Sequence, residues 1–432
     1  MSAMALSGHQ RYRAAHVRCW GQSGRDLLRR ECPLMTQSRH FSSWIRPLSC
    51  RVLCLLRADT GGRQMRQYFF NTILRWQWWI GLSSLVLASG AWAAPCTTAN
   101  ADCTEWISVA GGPGRVLVYR TFSLDLKNDA ISRALIMVHG QGRDADTYFR
   151  HDLGAGFLAR SLENTVIIAP RFASNHVGNC RDSLSANELN WNCEQSPDGW
   201  RVGGHAIDND RISSFDVVDE IVRKLAGKDA FTNLKVIVVA GHSGGGQFVQ
   251  RYEMTNQTHD HLGVPVAYVV SNPSSYAYLD SLRPTRSAVS SDFAAASPGY
   301  IPPIPAKPPE PFITFSDARN CTAYDSWPYG LKDRKGYVAK LTEDQIKKQF
   351  ASRPTTYLIG ELDILPLYGF DASCSAGAQG PTRLARGLAY GKYVNDRYGA
   401  QHNTIVVSAC GHSARCMFTA DRALPVIFPK EQ

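Results

Sequence analysis

The chain has 432 residues, which is enough for one large or two ordinary domains, and a formal net charge of +10. The surplus charge lies in residues 1–94, which hold 13 arginines, no lysine and only three acidic residues. The rest of the chain is neutral, whereas a nucleic-acid-binding domain would carry a basic patch on its folded part. The charge distribution therefore argues against nucleic acid as a partner.

The N-terminal part has the pattern of a leader. The first 64 residues are arginine-rich and show no sustained periodicity. From Met65, two arginines and a mostly apolar run at 76–88 precede a small-residue cleavage site at 91–93, which is typical of a secretory signal and would leave Ala94 as the new N-terminus. An uncleaved membrane anchor is the alternative, although the run is shorter than the roughly 20 residues of a membrane span.

These patterns divide the chain into three parts. We expect a non-structural leader at 1–64, a signal peptide at 65–93 and a single domain at 94–432. A translation start placed too early and an organellar targeting segment both remain open as explanations of the leader. The expected location is secreted or periplasmic, without a stable membrane anchor.

Eight cysteines follow residue 93, and an even number in an exported chain indicates disulfides. Eight cysteines allow 105 connectivities, and we expect local pairing. The expected pairs are Cys96 with Cys103, Cys180 with Cys193, Cys321 with Cys374, and Cys410 with Cys416. Pairing of Cys410 or Cys416 elsewhere, for instance with Cys374, stays open. No pair has zinc-ribbon spacing, so no metal site is predicted.

The domain alternates short apolar runs with helical patterns, which predicts an α/β fold with a mostly parallel sheet. Several runs are rich in Val and Ile without alternation, which is typical of strands covered on both faces. Strands are predicted at 115–119, 134–138, 165–169, 234–240, 266–270, 355–359 and 404–407. Helices are predicted at 144–160, 213–225, 245–254 and 382–398.

Two long intervals lack regular periodicity. The first, 171–211, contains Trp191 and Trp200, and the second, 274–350, includes six prolines within 302–311. Loops of this length are uncommon in compact domains unless they are functional. They would be lids or walls of a binding cleft, with both tryptophans as substrate contacts, or surface loops held by disulfides.

The strongest functional signal is LKVIVVAGHSGGG at 234–246. An apolar strand leads into Gly241-His242-Ser243-Gly244-Gly245, and a helical pattern follows. This is the G-x-S-x-G nucleophile elbow, in which a tight turn holds the serine in a strained conformation and needs glycine two residues before and after it. The pattern predicts Ser243 as a nucleophile.

A nucleophilic serine needs a base, and His412 is the best-placed histidine because it follows the last predicted strand. His242 lies within the elbow itself, and His402 precedes its strand. For the acid that orients the base, Glu361 and Asp363 both follow the strand at 355–359. Alternation along an extended segment puts both on the same side, so periodicity leaves the choice open.

An oxyanion hole is predicted at the end of the strand at 134–138, where His139-Gly140-Gln141-Gly142 follows. Two backbone N–H groups must meet the developing negative charge. We expect them to be the amides of Gln141 and Gly244. His139 and His242 join the two tryptophans as predicted substrate contacts.

The order strand-His139-Gly140, strand-Ser243, strand-Asp363 and strand-His412 resembles the α/β-hydrolase superfamily across roughly residues 104–420. The resemblance implies an eight-stranded, mostly parallel sheet flanked by helices, hydrolysis through an acyl-enzyme, and Asp363 as the acid. The loop that follows the strand at 165–169 is similar to that of secreted polyester depolymerases and feruloyl-type esterases.

The sequence thus predicts a secreted serine hydrolase that cleaves carboxylic esters and acts as a monomer on a small-molecule or polymeric ester. Its chemistry needs no metal and no cofactor. A peptidase or thioesterase on the same fold is one alternative. A non-catalytic extracellular binding module is the other.

Overall fold

A computed structural model describes residues 94–175, 180–194, 196–285, 312–367 and 369–430. These residues belong to one compact unit that spans Ala88–Gln432. The expected leader, the expected signal peptide and the run of prolines at 302–311 lie outside the described residues. Within the described residues, no helix is long and apolar enough to cross a membrane.

Eight strands of the described chain form the central sheet. They are β1 Thr104–Ser108, β2 Arg115–Arg120, β3 Arg133–Val138, β4 Thr165–Pro170, β5 Val236–His242, β6 Val266–Ser271, β7 Thr355–Gly360 and β8 Asn403–Val407. Their order is β1-β2-β4-β3-β5-β6-β7-β8. Strand β2 is antiparallel to both neighbours, and the other six strands, in the order β4-β3-β5-β6-β7-β8, pair in parallel. The expected eight-stranded, mostly parallel sheet is confirmed.

The helices of the described chain cover both faces of this sheet. They are α1 Ala145–Leu158, α2 Ser214–Ala226, α3 Gly244–Thr255, α4 Glu343–Ser352, α5 Cys374–Gly377, α6 Arg383–Tyr398, α7 Ala414–Thr419 and α8 Leu424–Ile427. The four helices predicted from the sequence correspond to α1, α2, α3 and α6.

Side-chain alternation in the strands builds a separate core on each face. In β3, Ile136 and Val138 pack with α2, α3, α4 and α6, whereas Leu135 and Met137 pack with α1, α7 and α8. Successive strand residues point to opposite faces, and both faces here are covered. This arrangement explains why the strands show apolar runs instead of alternation.

The sequence-based prediction does not include strand β1, helix α4 or the short helices α5, α7 and α8. Strand β1 is a short edge strand with mostly half-buried residues, so its apolar signal is weak. Helix α4 lies in the interval 274–350, for which no regular periodicity was expected, and that expectation is wrong. Thr342 caps the helix and exchanges hydrogen bonds with Gln345 in a capping box. Because only two of its residues are buried, the apolar periodicity is faint.

Four disulfides close in the described chain: Cys96–Cys103, Cys180–Cys193, Cys321–Cys374 and Cys410–Cys416. Each joins cysteines that are neighbours in sequence, as expected. The alternative pairing of Cys374 with the last two cysteines does not occur.

Candidate active site

Ser243 lies at the turn between β5 and α3. Its φ of 59° and ψ of −116° are unfavourable for a residue with a β-carbon. The turn leaves no room for a β-carbon two residues before or two residues after Ser243, so both positions require glycine. A β-carbon added at Gly241 would lie 2.4 Å from the carbonyl oxygen of Gly245, and one added at Gly245 would lie 2.1 Å from the oxygen of Val138. This geometry is that of a nucleophile elbow.

Three predicted side chains meet at the carboxyl edge of the sheet. His412 Nε2 lies 2.9 Å from Ser243 Oγ, and His412 Nδ1 lies 2.7 Å from Asp363 Oδ2. The three residues follow β5, β7 and β8, and all three are largely shielded from solvent. Arg383 of α6 approaches the other carboxylate oxygen of Asp363 at 3.4 Å. A continuous chain of hydrogen bonds therefore runs from a buried carboxylate to the serine hydroxyl.

Glu361 contacts the same loop but not the imidazole. Its Oε2 accepts a hydrogen bond of 2.9 Å from the amide of Ala409, a residue with φ of 58°. The amide of Leu362 donates to the carbonyl of Cys410 at 2.8 Å. Both carboxylates that the sequence left as alternatives thus support the histidine loop, but Asp363 is the one that reaches His412.

The amide of Gln141 lies close to Gly244, the residue that follows Ser243. A β-carbon added at Gly244 would come within 3.1 Å of the Gln141 nitrogen. Within the described residues, neither amide donates a hydrogen bond to another group. Both N–H groups are therefore available to a ligand, as an oxyanion hole requires.

His139 is fully buried and does not reach the cleft. Its Nδ1 lies 2.8 Å from the carbonyl oxygen of Gly140, and its Nε2 accepts a hydrogen bond of 3.0 Å from the amide of Phe172. Burial lowers the pKa of His139 to about 4, so the ring is neutral at neutral pH and donates through Nδ1. The prediction of His139 as a substrate contact is wrong. The His139 ring instead connects the Gln141 loop to the core.

Trp191 and Trp200 were also predicted as substrate contacts, and that prediction is wrong. Both are buried in the core, and both pack on Phe172, Trp200 in a stacked arrangement and Trp191 edge-on. Trp200 also lies edge-on to His139, with ring centroids 4.7 Å apart. The described part of 171–211 thus contributes core packing beneath the Gln141 loop.

A cleft of about 460 Å³ opens above Ser243. It is lined by Gly140, Gln141, Gly142, Asp144, Tyr148, His151, His242, Ser243, Gly369, His412 and Ala414. Asp144, Tyr148 and His151 were not predicted from the sequence, although their spacing of four and three places them on one face of the helix that follows the Gln141 loop.

His242 is the one predicted substrate contact that lines the cleft. Its Nδ1 lies 3.1 Å from the hydroxyl of Tyr148, and its ring centroid lies 4.6 Å from that of His412. Burial lowers the pKa of His242 well below its usual value, and the neighbouring His412 and Arg383 lower it further. His242 is therefore a neutral, largely buried wall of the cleft at neutral pH.

The strand order and the elbow between β5 and α3 decide the fold. The chain has the α/β-hydrolase fold. In the described residues, no group of three or more His, Cys, Asp or Glu side chains is placed to hold a metal ion.

Similar solved structures include hydrolases of polymers and esters. A poly(aspartic acid) hydrolase from Sphingomonas sp. KT-1 has 18% identity and a TM-score of 0.48, with 75% of this chain and 98% of that chain covered. A poly(3-hydroxybutyrate) depolymerase from Bordetella parapertussis has 20% identity and a TM-score of 0.47, with 75% and 89% covered. A thermostable esterase from Pseudomonas putida has 12% identity and a TM-score of 0.39, with 75% and 77% covered. No protein-family model and no curated protein matches the chain.

Proposed function

We propose that the protein is an exported serine hydrolase that cleaves carboxylic esters through an acyl-enzyme. The observation that carries the proposal is the chain of hydrogen bonds from Asp363 through His412 to Ser243, beside two amides that have no acceptor within the described residues. A hydroxyl, a base that contacts it and a carboxylate that orients the base are the parts that nucleophilic acyl transfer requires.

The reaction has two halves. The Ser243 hydroxyl oxygen attacks the ester carbonyl carbon while His412 Nε2 takes its proton, and the carbonyl oxygen becomes negative against the amides of Gln141 and Gly244. The tetrahedral intermediate then collapses, the bond to the alcohol oxygen breaks, and His412 donates the proton to the leaving alcohol. Asp363 accepts the hydrogen bond from His412 Nδ1 and stabilises the transient imidazolium.

Water completes the cycle at the same groups. His412 takes a proton from a water molecule, whose oxygen attacks the acyl carbon bound to Ser243. The second intermediate collapses, the Ser243 oxygen leaves with the proton from His412, and the carboxylic acid departs. The proton transfers of both halves use Ser243, His412 and Asp363, which lie within hydrogen-bond distance of one another.

Export is supported by the four disulfides, because such bonds persist in oxidising compartments. It is also supported by the signal pattern at 65–93. One of these disulfides, Cys410–Cys416, closes the loop that carries His412, so we expect an oxidising compartment to matter for the reaction as well as for stability.

A fluorophosphonate probe and two serine variants test the nucleophile. We expect the probe to label Ser243 and Ser243→Ala to lower turnover by about 10⁴–10⁶ while the protein still folds. Ser185→Ala is the matched control, because Ser185 is exposed and outside the cleft. Labelling of another serine, or full activity of Ser243→Ala, contradicts the assignment.

The substrate class is tested with p-nitrophenyl esters of graded acyl length, run beside matched thioesters and a peptide panel. The proposal expects kcat/KM to be highest for esters. Faster hydrolysis of peptides or of thioesters would assign the site to one of those classes instead.

A further inference from the structure

A second cavity lies next to the cleft above Ser243. It has a volume of about 530 Å³ and is lined by residues of α1, among them Arg150, His151, Gly154 and Leu158, and by Arg415 and Thr419 of α7. We call it the α1–α7 groove. The two helices pack against each other in the core on that face of the sheet. Among the described residues that line the groove, none takes part in the proposed reaction.

The groove adjoins the cleft along both helices. His151 lines the cleft and the groove alike. On α1, Tyr148 lines the cleft and Gly154 the groove, and on α7 the change occurs between Ala414 and Arg415. Tyr148 and Gly154 are six residues apart, which is about 9 Å along a helix. A chain that leaves the cleft past His151 therefore follows α1 for about 9 Å before it reaches Gly154.

His151 is the half-buried side chain at this junction. Its Nδ1 is shielded from solvent and has no hydrogen-bond partner within the described residues. Burial lowers the pKa of His151, Asp144 opposes this shift, and the nearby Arg415 and Arg150 lower the pKa further. The ring is therefore neutral at neutral pH, and it places no positive charge between the cleft and the groove.

Gly154 lies in the interior of α1, although glycine weakens a helix relative to alanine. A β-carbon added at Gly154 would meet no atom of the described residues within 4 Å. At Gly156, in contrast, a β-carbon would lie 2.7 Å from a side-chain carbon of Leu162, so close packing explains that glycine. Packing does not explain Gly154, but the missing side chain keeps the groove open.

The groove combines positive charge with an apolar stretch. The described residues that line it include two arginines and no Asp or Glu. Arg150 forms an exposed ion pair of 2.9 Å with Asp146, whereas the Arg415 side chain forms no hydrogen bond or ion pair within the described part of the chain. Leu158 is 54% exposed and, with Gly154, makes the far end apolar. This combination fits a chain that bears a carboxylate, the group whose geometry a guanidinium matches.

Helix α7 connects the groove to the catalytic base. Ala414, two residues after His412, lines the cleft, and Arg415 and Thr419 line the groove. The Cys410–Cys416 disulfide joins α7 to the loop that carries His412, so the base and this wall of the groove are held together. In the proposed reaction His412 protonates the leaving alcohol oxygen. The alcohol part of the ester is therefore the part that starts next to α7.

We propose that the α1–α7 groove binds the alcohol part of the substrate, so that the substrates are esters whose alcohol part is an elongated chain bearing a carboxylate. The chain passes His151 and lies over Gly154, and Arg150 and Arg415 attract its negative charge. This inference rests on the ester hydrolysis proposed for Ser243 and names its substrate class.

The charge is tested with the acetate esters of 4-hydroxybutanoate, 6-hydroxyhexanoate and 8-hydroxyoctanoate, each paired with the analogue in which a carboxamide replaces the carboxylate. For the best length, we expect kcat/KM to favour the carboxylate roughly two- to fivefold at low ionic strength, the range of an exposed ion pair, and to lose this preference in high salt. Arg150→Met/Arg415→Met should abolish the preference. Equal values within every pair in the wild type, or a preference that the double variant keeps, overturns the inference.

Arg397→Met is the matched control for charge. Arg397 is exposed and forms an ion pair of 3.2 Å with Asp280, as Arg150 does with Asp146, but it belongs to α6 on the other face of the sheet. Its loss should leave the preference for the carboxylate within about 1.5-fold, because distant exposed charges are screened. A loss of the preference in Arg397→Met as large as in the double variant overturns the role of the two groove arginines.

The length is tested by filling the groove. In Gly154→Trp, we expect the ratio of kcat/KM for 8-acetoxyoctanoate to that for ethyl acetate to fall roughly tenfold, which corresponds to the contacts of about two methylene groups. Lys348→Trp, at an exposed position of α4 on the other face of the sheet, controls for the added indole. An unchanged ratio in Gly154→Trp overturns the inference. Gly154→Ala should raise the melting temperature, and a lower one would show that the fold itself requires this glycine and contradict the argument.

Monoethyl adipate and monoethyl suberate carry the same charge on the acyl part instead. If Gly154→Trp and Arg150→Met/Arg415→Met change kcat/KM for these half-esters and not for the acetoxy acids, the assignment of the groove to the alcohol part is overturned.

Binding without turnover separates this inference from the proposed function. Uncleaved 8-acetoxyoctanoate is titrated calorimetrically into Ser243→Ala and into Ser243→Ala/Gly154→Trp, with melting temperatures as a check on folding. Saturable binding that Gly154→Trp weakens supports the groove even if the wild type hydrolyses no ester, in which case the proposed function alone fails. Hydrolysis of ethyl acetate, with no effect of Gly154→Trp on the long ester or on its binding, leaves the proposed function and refutes the inference.

Discussion

Asp363→Asn and Glu361→Gln each replace one carboxylate oxygen by an NH₂ group, yet the structure predicts very different losses of turnover. Asp363 Oδ2 accepts a hydrogen bond from His412 Nδ1 at 2.7 Å in a buried setting. An asparagine that presents its NH₂ group there makes Nδ1 the acceptor and moves the ring proton to Nε2. The imidazole then cannot take the proton of Ser243.

We expect Asp363→Asn to lower kcat by about 10³–10⁴, which corresponds to about 4–5.5 kcal/mol of activation free energy. Glu361→Gln keeps an oxygen that can accept the hydrogen bond from the Ala409 amide. The variant therefore loses only the strengthening of this exposed hydrogen bond by the negative charge. That contribution is about 0.5–1 kcal/mol, or roughly two- to fivefold in kcat.

The assay is kcat at saturating p-nitrophenyl ester for both variants, with melting temperatures to show that each one folds. Arg383 keeps its hydrogen bond of 2.8 Å to the Leu367 carbonyl in Asp363→Asn, which limits the loss of stability. A larger loss in Glu361→Gln than in Asp363→Asn would refute the assignment of the acid. Equal losses would mean that both carboxylates act only through the position of the loop.

Three further predictions address the disulfide, the pH dependence and the mature N-terminus. Replacement of Cys410 and Cys416 by serine should lower turnover severalfold in an ester assay but cost at most ~2.4 kcal/mol of unfolding free energy, because the closed ring is small; full activity would show that packing alone holds the loop. Burial raises the pKa of Asp152 well above its usual value, so on raising the pH the unfolded chain loses this proton before the folded protein does. The free energy of unfolding should therefore fall by about 1.4 kcal/mol per pH unit from about pH 3.8 up to the folded pKa. Asp152→Asn should flatten this decline in the free energy of unfolding between pH 4 and 7. An unchanged slope would show that Asp152 is not its source. Edman sequencing of exported protein should begin at Ala94 or a residue either side, and recovery of residues from 1–64 would contradict the expected processing.

The sequence was most informative where local geometry and function demand the same residues. A β-carbon at either elbow glycine would lie about 2 Å from a backbone oxygen, so no other residue fits there. The sequence motif therefore predicts the tight turn directly. The strands that lead to Ser243 and Asp363 are covered on both faces, which gives continuous apolar runs, whereas the strand that leads to His412 is a partly exposed edge strand. These features depend on residues that are close together in the chain.

The features that the sequence did not predict depend on distant contacts. Trp191 and Trp200 lie in an irregular segment, where no periodicity shows that a side chain faces the core. The choice between Glu361 and Asp363 depends on where the histidine loop passes, and strand alternation carries no information on this.

The nearest-neighbour order of the disulfides has a consequence for how the protein is made. Each bridge joins a cysteine to the next one along the domain, with separations of 7, 13, 53 and 6 residues. If the chain enters an oxidising compartment from its N-terminal end, each bond can form as soon as its second cysteine arrives, and each earlier pair is already closed when the next cysteine emerges. Simple vectorial oxidation thus yields the native connectivity, and little reshuffling by thiol–disulfide exchange is needed.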